Sequence, residues 1–188
     1  MGRIGVAAAL LLLIGCGEDL PSESVGFRAL PATTETVEVD PELLAAAAVQ
    51  RVTVDNSFSR ASVFDRVSVV DGLVDATDPD DPPIDFVAPA HELDGAAKAA
   101  IERALPYPVE WISFERVHEL ASVPDVAGER PLHAILELGV PVVEDGAAQV
   151  FSVLGCGVNC FTAGTHVLDR GPDGTWAATG SVGVTIVS

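Results

Sequence analysis

His133-Ala134-Ile135-Leu136-Glu137-Leu138-Gly139-Val140-Pro141-Val142-Val143-Glu144-Asp145-Gly146-Ala147-Ala148-Gln149-Val150-Phe151-Ser152-Val153-Leu154 is the stretch that decides the fold. Residues 133–138 place Ala134, Leu136 and Leu138 on one side, because successive side chains of a strand alternate between faces. Residues 148–154 repeat that character beyond Glu144-Asp145-Gly146, an acidic-glycine turn that signals a hairpin. Toward the C-terminus, residues 165–170 and 175–179 flank Gly171-Pro172-Asp173-Gly174, a second strong turn. Val182, Val184 and Ile186 alternate with small residues in a last strand. The expectation is an antiparallel meander.

Toward the N-terminus the period changes. Glu110 to Glu115 still alternates, with Ile112 and Phe114 on one side, and predicts a strand. Leu93, Ala97, Ala100, Ile101, Ala104 and Leu105 share one helical face, with Pro89 near the start of that helix. Pro106 and Pro108 end it. Arg66 to Val70 reads as a strand closed by Asp71-Gly72. Asp40-Pro41-Glu42 is a helix start: aspartate caps free amides, proline fits the first turn, and glutamate complements the dipole. That helix runs through Leu43 to Gln50. Thr53 and Val54 weaken it and Asn56-Ser57 breaks it. Between the strand and the second helix, Asp75 to Pro83 carries three prolines and reads as a solvated surface loop. One or two helices followed by an antiparallel meander make an α+β fold.

The chain has 188 residues, with 28 Asp plus Glu against 10 Lys plus Arg and a formal net charge of −18. A polyanion of that size repels nucleic acid and anionic lipid, so nucleic-acid binding is disfavoured. Cationic partners and metal ions are not.

The first residues carry an address. Arg3 precedes Val6 to Ile14, an almost wholly apolar run. It is too short to span a bilayer, which takes ~20 apolar residues, and has the length of a signal-peptide core. Its ending, Leu13-Ile14-Gly15-Cys16, resembles the lipobox of bacterial lipoproteins. The resemblance implies that residues 1–15 are a signal peptide and that Cys16 becomes the lipidated first residue. Several acyl chains hold a protein stably, because each buried methylene contributes about 0.8 kcal/mol. The membrane is then a partner through Cys16. Gly17 stands where aspartate marks retention at the inner membrane in that family, so the resemblance favours the outer membrane of the cell envelope. Residues 16–39 read as a disordered acidic tether, with a typical end-to-end distance of roughly 25–30 Å. Residues 40–188 form the single α+β domain.

With Cys16 assigned to lipid, Cys156 and Cys160 are an even pair in an oxidising compartment, which points to a disulfide. A glycine-containing turn between them can bring the two Cα atoms within bridging range. A redox pair would have two intervening residues beside a helix start. The run from Trp111 to Val117, then Gln149 to Leu154, Cys156-Gly157, Cys160, Val167 to Arg170 and Gly174-Thr175-Trp176 resembles a loose group of uncharacterised bacterial secreted proteins. Those proteins share a Cys-Gly/Cys pair before a Gly-x-Trp hairpin. That resemblance covers residues ~109–188, taking periodicity as the guide to its edges. Phe161 departs from it, since a glycine is usual there. It implies a fold and no activity.

Chemistry is sparse. Asp75, Asp78, Asp80, Asp81 and Asp85 could offer calcium its oxygen ligands, yet their spacing is not that of a calcium loop. His91, His118, His133 and His166 lack a second histidine at helical spacing, so the zinc-protease pattern is absent. No Gly-x-Ser-x-Gly elbow occurs. No catalytic residue, metal or cofactor is expected. The leading expectation is a lipid-anchored, non-enzymatic binding or structural module with an envelope protein partner. The alternative is an envelope hydrolase, with His118, His133 or His166 facing Ser, Asp or Glu in a pocket.

Overall fold

Asp40 starts the first helix as its sequence predicts. In the computed structural model, which describes residues 37–56, 64–75, 77–121, 133–157 and 160–187, α1 spans Pro41–Val49. The Asp40 carboxylate accepts the Glu42 amide at 3.0 Å. At residues 156, 157 and 160 the description covers the backbone. Cys16, the signal and nearly all of the expected tether lie outside the described residues. Val39, at the end of that tether, packs against the main core.

The helix does not stop at Gln50. A π-helical turn, Gln50–Val54, continues it. The Thr53 hydroxyl donates to the Val49 carbonyl at 2.7 Å, and the Asn56 amide to the Val52 carbonyl at 3.1 Å. Side-chain bonds of this kind to the carbonyl four residues earlier compete with the regular helix and bend it, in keeping with the change to a π-helical turn. The turn buries Arg51 and Val52 together.

Seven strands follow among the described residues: β1 Arg66–Val74, β2 Val109–Ile112, β3 His133–Gly139, β4 Val142–Glu144, β5 Ala147–Gly157, β6 Cys160–Arg170 and β7 Trp176–Val187. Helices α2 (Gly95–Ala104) and α3 (Phe114–Ala121) flank β2 in sequence. The fold is α+β. From β3 onward the sheet is the expected antiparallel meander, in the order β3-β5-β6-β7, with β4 also on β5. The turn between β4 and β5 has Asp145 at φ 50° and Gly146 at φ 84°, the paired left-handed residues of a tight hairpin. β1 adds a feature the periodicity did not carry: it lies between β2 and β3, parallel to both. Parallel neighbours need crossover connections, and α2 and α3 lie in them.

Four boundaries differ from the sequence expectation. The strand at 110–115 ends at Ile112, and Phe114 opens α3 instead. Phe114 and Val117 are one helical turn apart on its apolar side, a spacing as good as the alternation of Ile112 with Phe114. Pro89 does not open α2, which starts at Gly95 with Asp94 as its cap. The segment around Pro89 instead folds back onto β1, where the Leu73 amide donates to the His91 carbonyl at 2.8 Å. β1 therefore runs past Asp71-Gly72 to Val74. Gly72 permits this return, since a Cβ there would lie 2.6 Å from the Pro89 Cβ. Last, the two C-terminal strands are one, β7, bent by register shifts.

Alternation sorts the layers. Val67, Val69, Ala134, Leu136, Leu138, Val150 and Leu154 face α1 and α2 in the main core. Val70, Ile112 and Ile135 point the other way, toward Val117 of α3. On that second face Val74, Phe151, Val153 and Ala163 are covered from Phe86, whose ring meets Phe161 edge-on. The Asp/Pro-rich stretch is thus more than a solvated loop. Pro82 is buried, and Pro79 reaches the far edge of the sheet, where its carbonyl accepts the Val184 amide at 2.8 Å.

Candidate functional site

Small residues leave a groove where α1 meets the last hairpin. Ala45, Ala46 and Val49 of α1 form one wall, with Ala104 at the end of α2. Trp176, Ala177 and Ala178 of β7 form the other, and Asp173-Gly174-Thr175 of the β6–β7 turn closes one end. The cavity is about 570 Å³. Methyl groups in place of longer side chains are what keep it open. Glu42, Gln50 and Asp173 supply its polar atoms.

The Trp176 wall is held from below. Its indole N–H donates to Asp40 at 2.9 Å, and the Arg170 guanidinium lies 5.7 Å from the ring centre. That indole bond leads the effects that hold the Asp40 carboxyl below its ordinary value, though burial opposes it. Asp40 thereby caps α1 and fixes the opposite wall. Glu42 pairs with Arg103 at 2.5 Å, and the Asp173 carboxylate accepts from the Thr175 hydroxyl at 2.7 Å, which lowers its pKa.

Beneath the same helix lies a buried polar cluster. Arg51 is 2% exposed. Its guanidinium donates to the Ser152 hydroxyl at 2.8 Å, the Gly164 carbonyl at 3.1 Å, the Asp55 carbonyl at 3.3 Å and the Thr162 hydroxyl at 3.4 Å. Burial pulls its pKa down to about 10, with the Asp55 charge acting the other way. His166 is 1% exposed beside it, and neither ring nitrogen has a hydrogen bond among the described residues. Its Nδ1 lies 3.4 Å from the Asp55 carboxylate. Burial first, and the Arg51 charge second, push its pKa down to about 4.

The other face of the sheet holds two more buried groups. Glu137 is fully buried, and its carboxyl accepts the Val87 amide at 3.2 Å through each oxygen. Burial raises its pKa to about 8, the Val87 bond opposes this, and the Asp85 charge adds to it. Nearer the start of β1, the Ser68 hydroxyl and His133 Nε2 are 2.5 Å apart. Glu110 is the register neighbour of Ser68, and Arg66 that of His133. Burial, then the Arg66 charge, lowers the His133 pKa. Ser68 has no exposed surface.

The expected acidic residues do not converge. Asp75 pairs with His91 at 2.8 Å, Asp78 accepts the Asp80 amide at 2.9 Å, and Asp85 accepts the Phe86 amide at 2.8 Å. No group of three His, Cys, Asp or Glu able to hold a metal occurs among the described residues. His118 stacks edge-on against Phe114. Cys156 and Cys160 lie at the β5–β6 hairpin, with Gly157 opposite Cys160 and Cys156 inside a register shift. A second cleft, of about 320 Å³, opens at the ends of β1 and β2, lined by Asp71, His91, Glu92, Trp111 and Glu115. Of the groove residues, the sequence marks Glu42 as a helix start and Asp173 to Trp176 as a turn and hairpin, none of them as a site, and it does not mark Arg51. The alanines of α1 were the available signal, since small residues at successive turns leave room beside a helix.

Comparison with protein-family models, curated proteins and solved structures gives no match to this chain. No helix among the described residues is long and apolar enough to cross a membrane.

Proposed function

We propose that this protein is a lipid-anchored module of the bacterial cell envelope, held at the outer membrane through Cys16, which binds another envelope component without catalysing a reaction. One observation carries the reading: the groove between α1 and β7 is walled by alanines and an oriented tryptophan, while Ser68 and His166, the groups closest to a hydrolase constellation, are buried inside the layers. A photoreactive residue at Ala177 tests it in intact cells. A discrete adduct from Ala177, and none from the same group at Asp145 in the distant hairpin, is expected. Equal labelling from both positions, or from neither, removes the reading. Mass spectrometry of the purified N-terminus tests the anchor, and an unmodified Cys16 sinks that part.

The hairpin placement of Cys156 and Cys160 supports a disulfide that closes the β5–β6 turn. Two free thiols from this pair after denaturation without reductant would refute it.

One contact favours a second reading, an envelope hydrolase. Ser68 lies 2.5 Å from His133 Nε2, the spacing of a nucleophile with its base. Its full burial is the argument against. Labelling of Ser68 by a fluorophosphonate probe would support the hydrolase, and a lack of labelling would dismiss it.

A further inference from the structure

We infer that the open half of the β7 edge takes an extended basic segment of a partner protein as an added strand, with alternate side chains of that segment lying in the α1–β7 groove. This rests on the binding-module reading and names the partner's chemistry. β7 is the last strand of the sheet, and none of its twelve residues is buried. An edge strand presents unpaired N–H and C=O groups to any extended chain that can align with it.

The molecule already uses one half of this edge in that way. The Pro79 carbonyl accepts the Val184 amide, and Gly183, at φ 71°, lets the loop approach so closely that a Cβ there would lie 1.9 Å from the Pro79 oxygen. From Ala177 to Ser181, no backbone bond from outside the β6–β7 pair reaches β7 among the described residues. That half adjoins the groove, since Ala177 and Ala178 belong to both.

Charge selects the occupant. The chain carries a formal net charge of −18, and of the two groove carboxylates Glu42 is paired with Arg103 while Asp173 is bonded to the neutral Thr175. The Trp176 ring already holds the Arg170 guanidinium 5.7 Å from its centre, which shows the attraction such a ring has for guanidinium and ammonium groups. A second copy of this chain would bring −18 against −18, so a basic segment is the better fit. The alanine walls admit side chains of modest size beside the long stems of lysine or arginine.

The test uses the full lipidated chain in detergent and a blocked octapeptide alternating lysine and valine. The same peptide with glutamate for lysine, and the lysine peptide with a central proline, are the comparisons. Amide shifts of residues 177–182 should follow the lysine peptide and weaken with salt. The glutamate peptide should not bind, and proline should cost roughly tenfold or more, because it removes a ladder donor. Ala177→Arg should weaken binding by roughly tenfold, and Ala177→Glu should retain or tighten it. This opposite pair separates charge from misfolding. Equal binding of the lysine and glutamate peptides, indifference to proline, or shifts mapping elsewhere would overturn the inference. So would shifts of β7 that follow protein concentration alone, which would mean a second copy. If Ala177 crosslinks a component in cells while the lysine peptide fails, strand addition is wrong and the binding module stands. If neither occurs, both fall.

Discussion

Two buried ionisable centres occupy opposite faces of one sheet, and the molecule handles them in opposite ways. Under α1, Arg51 keeps its charge. Two hydroxyls and two carbonyls from the π-helical turn, β5 and β6 converge on its guanidinium. Behind β3, Glu137 has one described donor, the Val87 amide, and Asp85 adds a repelling charge. With too few donors for a carboxylate, it keeps its proton up to about pH 8. A buried ion persists where neutral dipoles replace water, and a proton neutralises it where they do not.

The largest effect expected from breaking this contrast is at Arg51. Arg51→Ala should cost about 3–5 kcal/mol, because it leaves three buried acceptors and one half-buried one without their donor and opens a cavity. Arg51→Lys should recover little, since an ammonium cannot reproduce the planar fork. Urea midpoints of the two variants check both statements.

Glu137→Gln removes the other centre. The folded protein holds this proton between its ordinary pKa of 4.5 and about 8, where the unfolded chain has lost it. Stability therefore falls as pH rises through that window. The glutamine variant should lack the fall, with an advantage growing to the order of 4 kcal/mol by pH 8. Equal alkaline limbs in the two proteins would show that Glu137 is ionised when folded.

His166→Leu probes the first centre from the acid side. With its pKa pushed from 6.5 to about 4, His166 is neutral in the fold while the unfolded chain takes up a proton below pH 6.5. Stability is full above pH 6.5 and is lost as pH falls toward 4, by on the order of 3 kcal/mol. Leucine should flatten that limb and change little at pH 7, because the ring nitrogens make no hydrogen bond among the described residues. The groups facing His166 are Arg51 and Asp55, so the same scan on Asp55→Asn tells their charges apart. The smallest effect is expected at Ser68→Ala, about 1 kcal/mol for one hydrogen bond between β1 and β3, read from thermal midpoints at neutral pH.

Turns and caps were legible in the sequence; burial of charge was not. Asp40-Pro41-Glu42, Glu144-Asp145-Gly146 and Gly171 to Gly174 each specify local geometry with few residues, and each falls where expected. Ala134, Leu136 and Leu138 share the main core as their alternation requires. The same rule points Glu137 away from them, which reads as outward until a second layer covers that face. Such a layer comes from Phe86 and Val87, and nothing local to β3 announces it. Arg51 follows four alanines, a valine and a glutamine at a helix end, an ordinary place for a solvated arginine. The π-helical turn that buries it depends on β5 and β6, far along the chain. The groove was equally silent, because a row of alanines reads first as helix propensity.

The clasp of Pro79 on Val184 sets an order of events. A chain made from its N-terminus has the loop in hand long before its anchor exists, since roughly a hundred residues separate them and contacts that distant are slow to close. The Pro79 end of the loop stays unfastened until the final strand arrives, while its Pro89 end is already tied to β1. Truncation of the last few residues would therefore free the Pro79 end of the loop and strip Ile186 from the cluster around Phe86, on the same face of the sheet as Glu137.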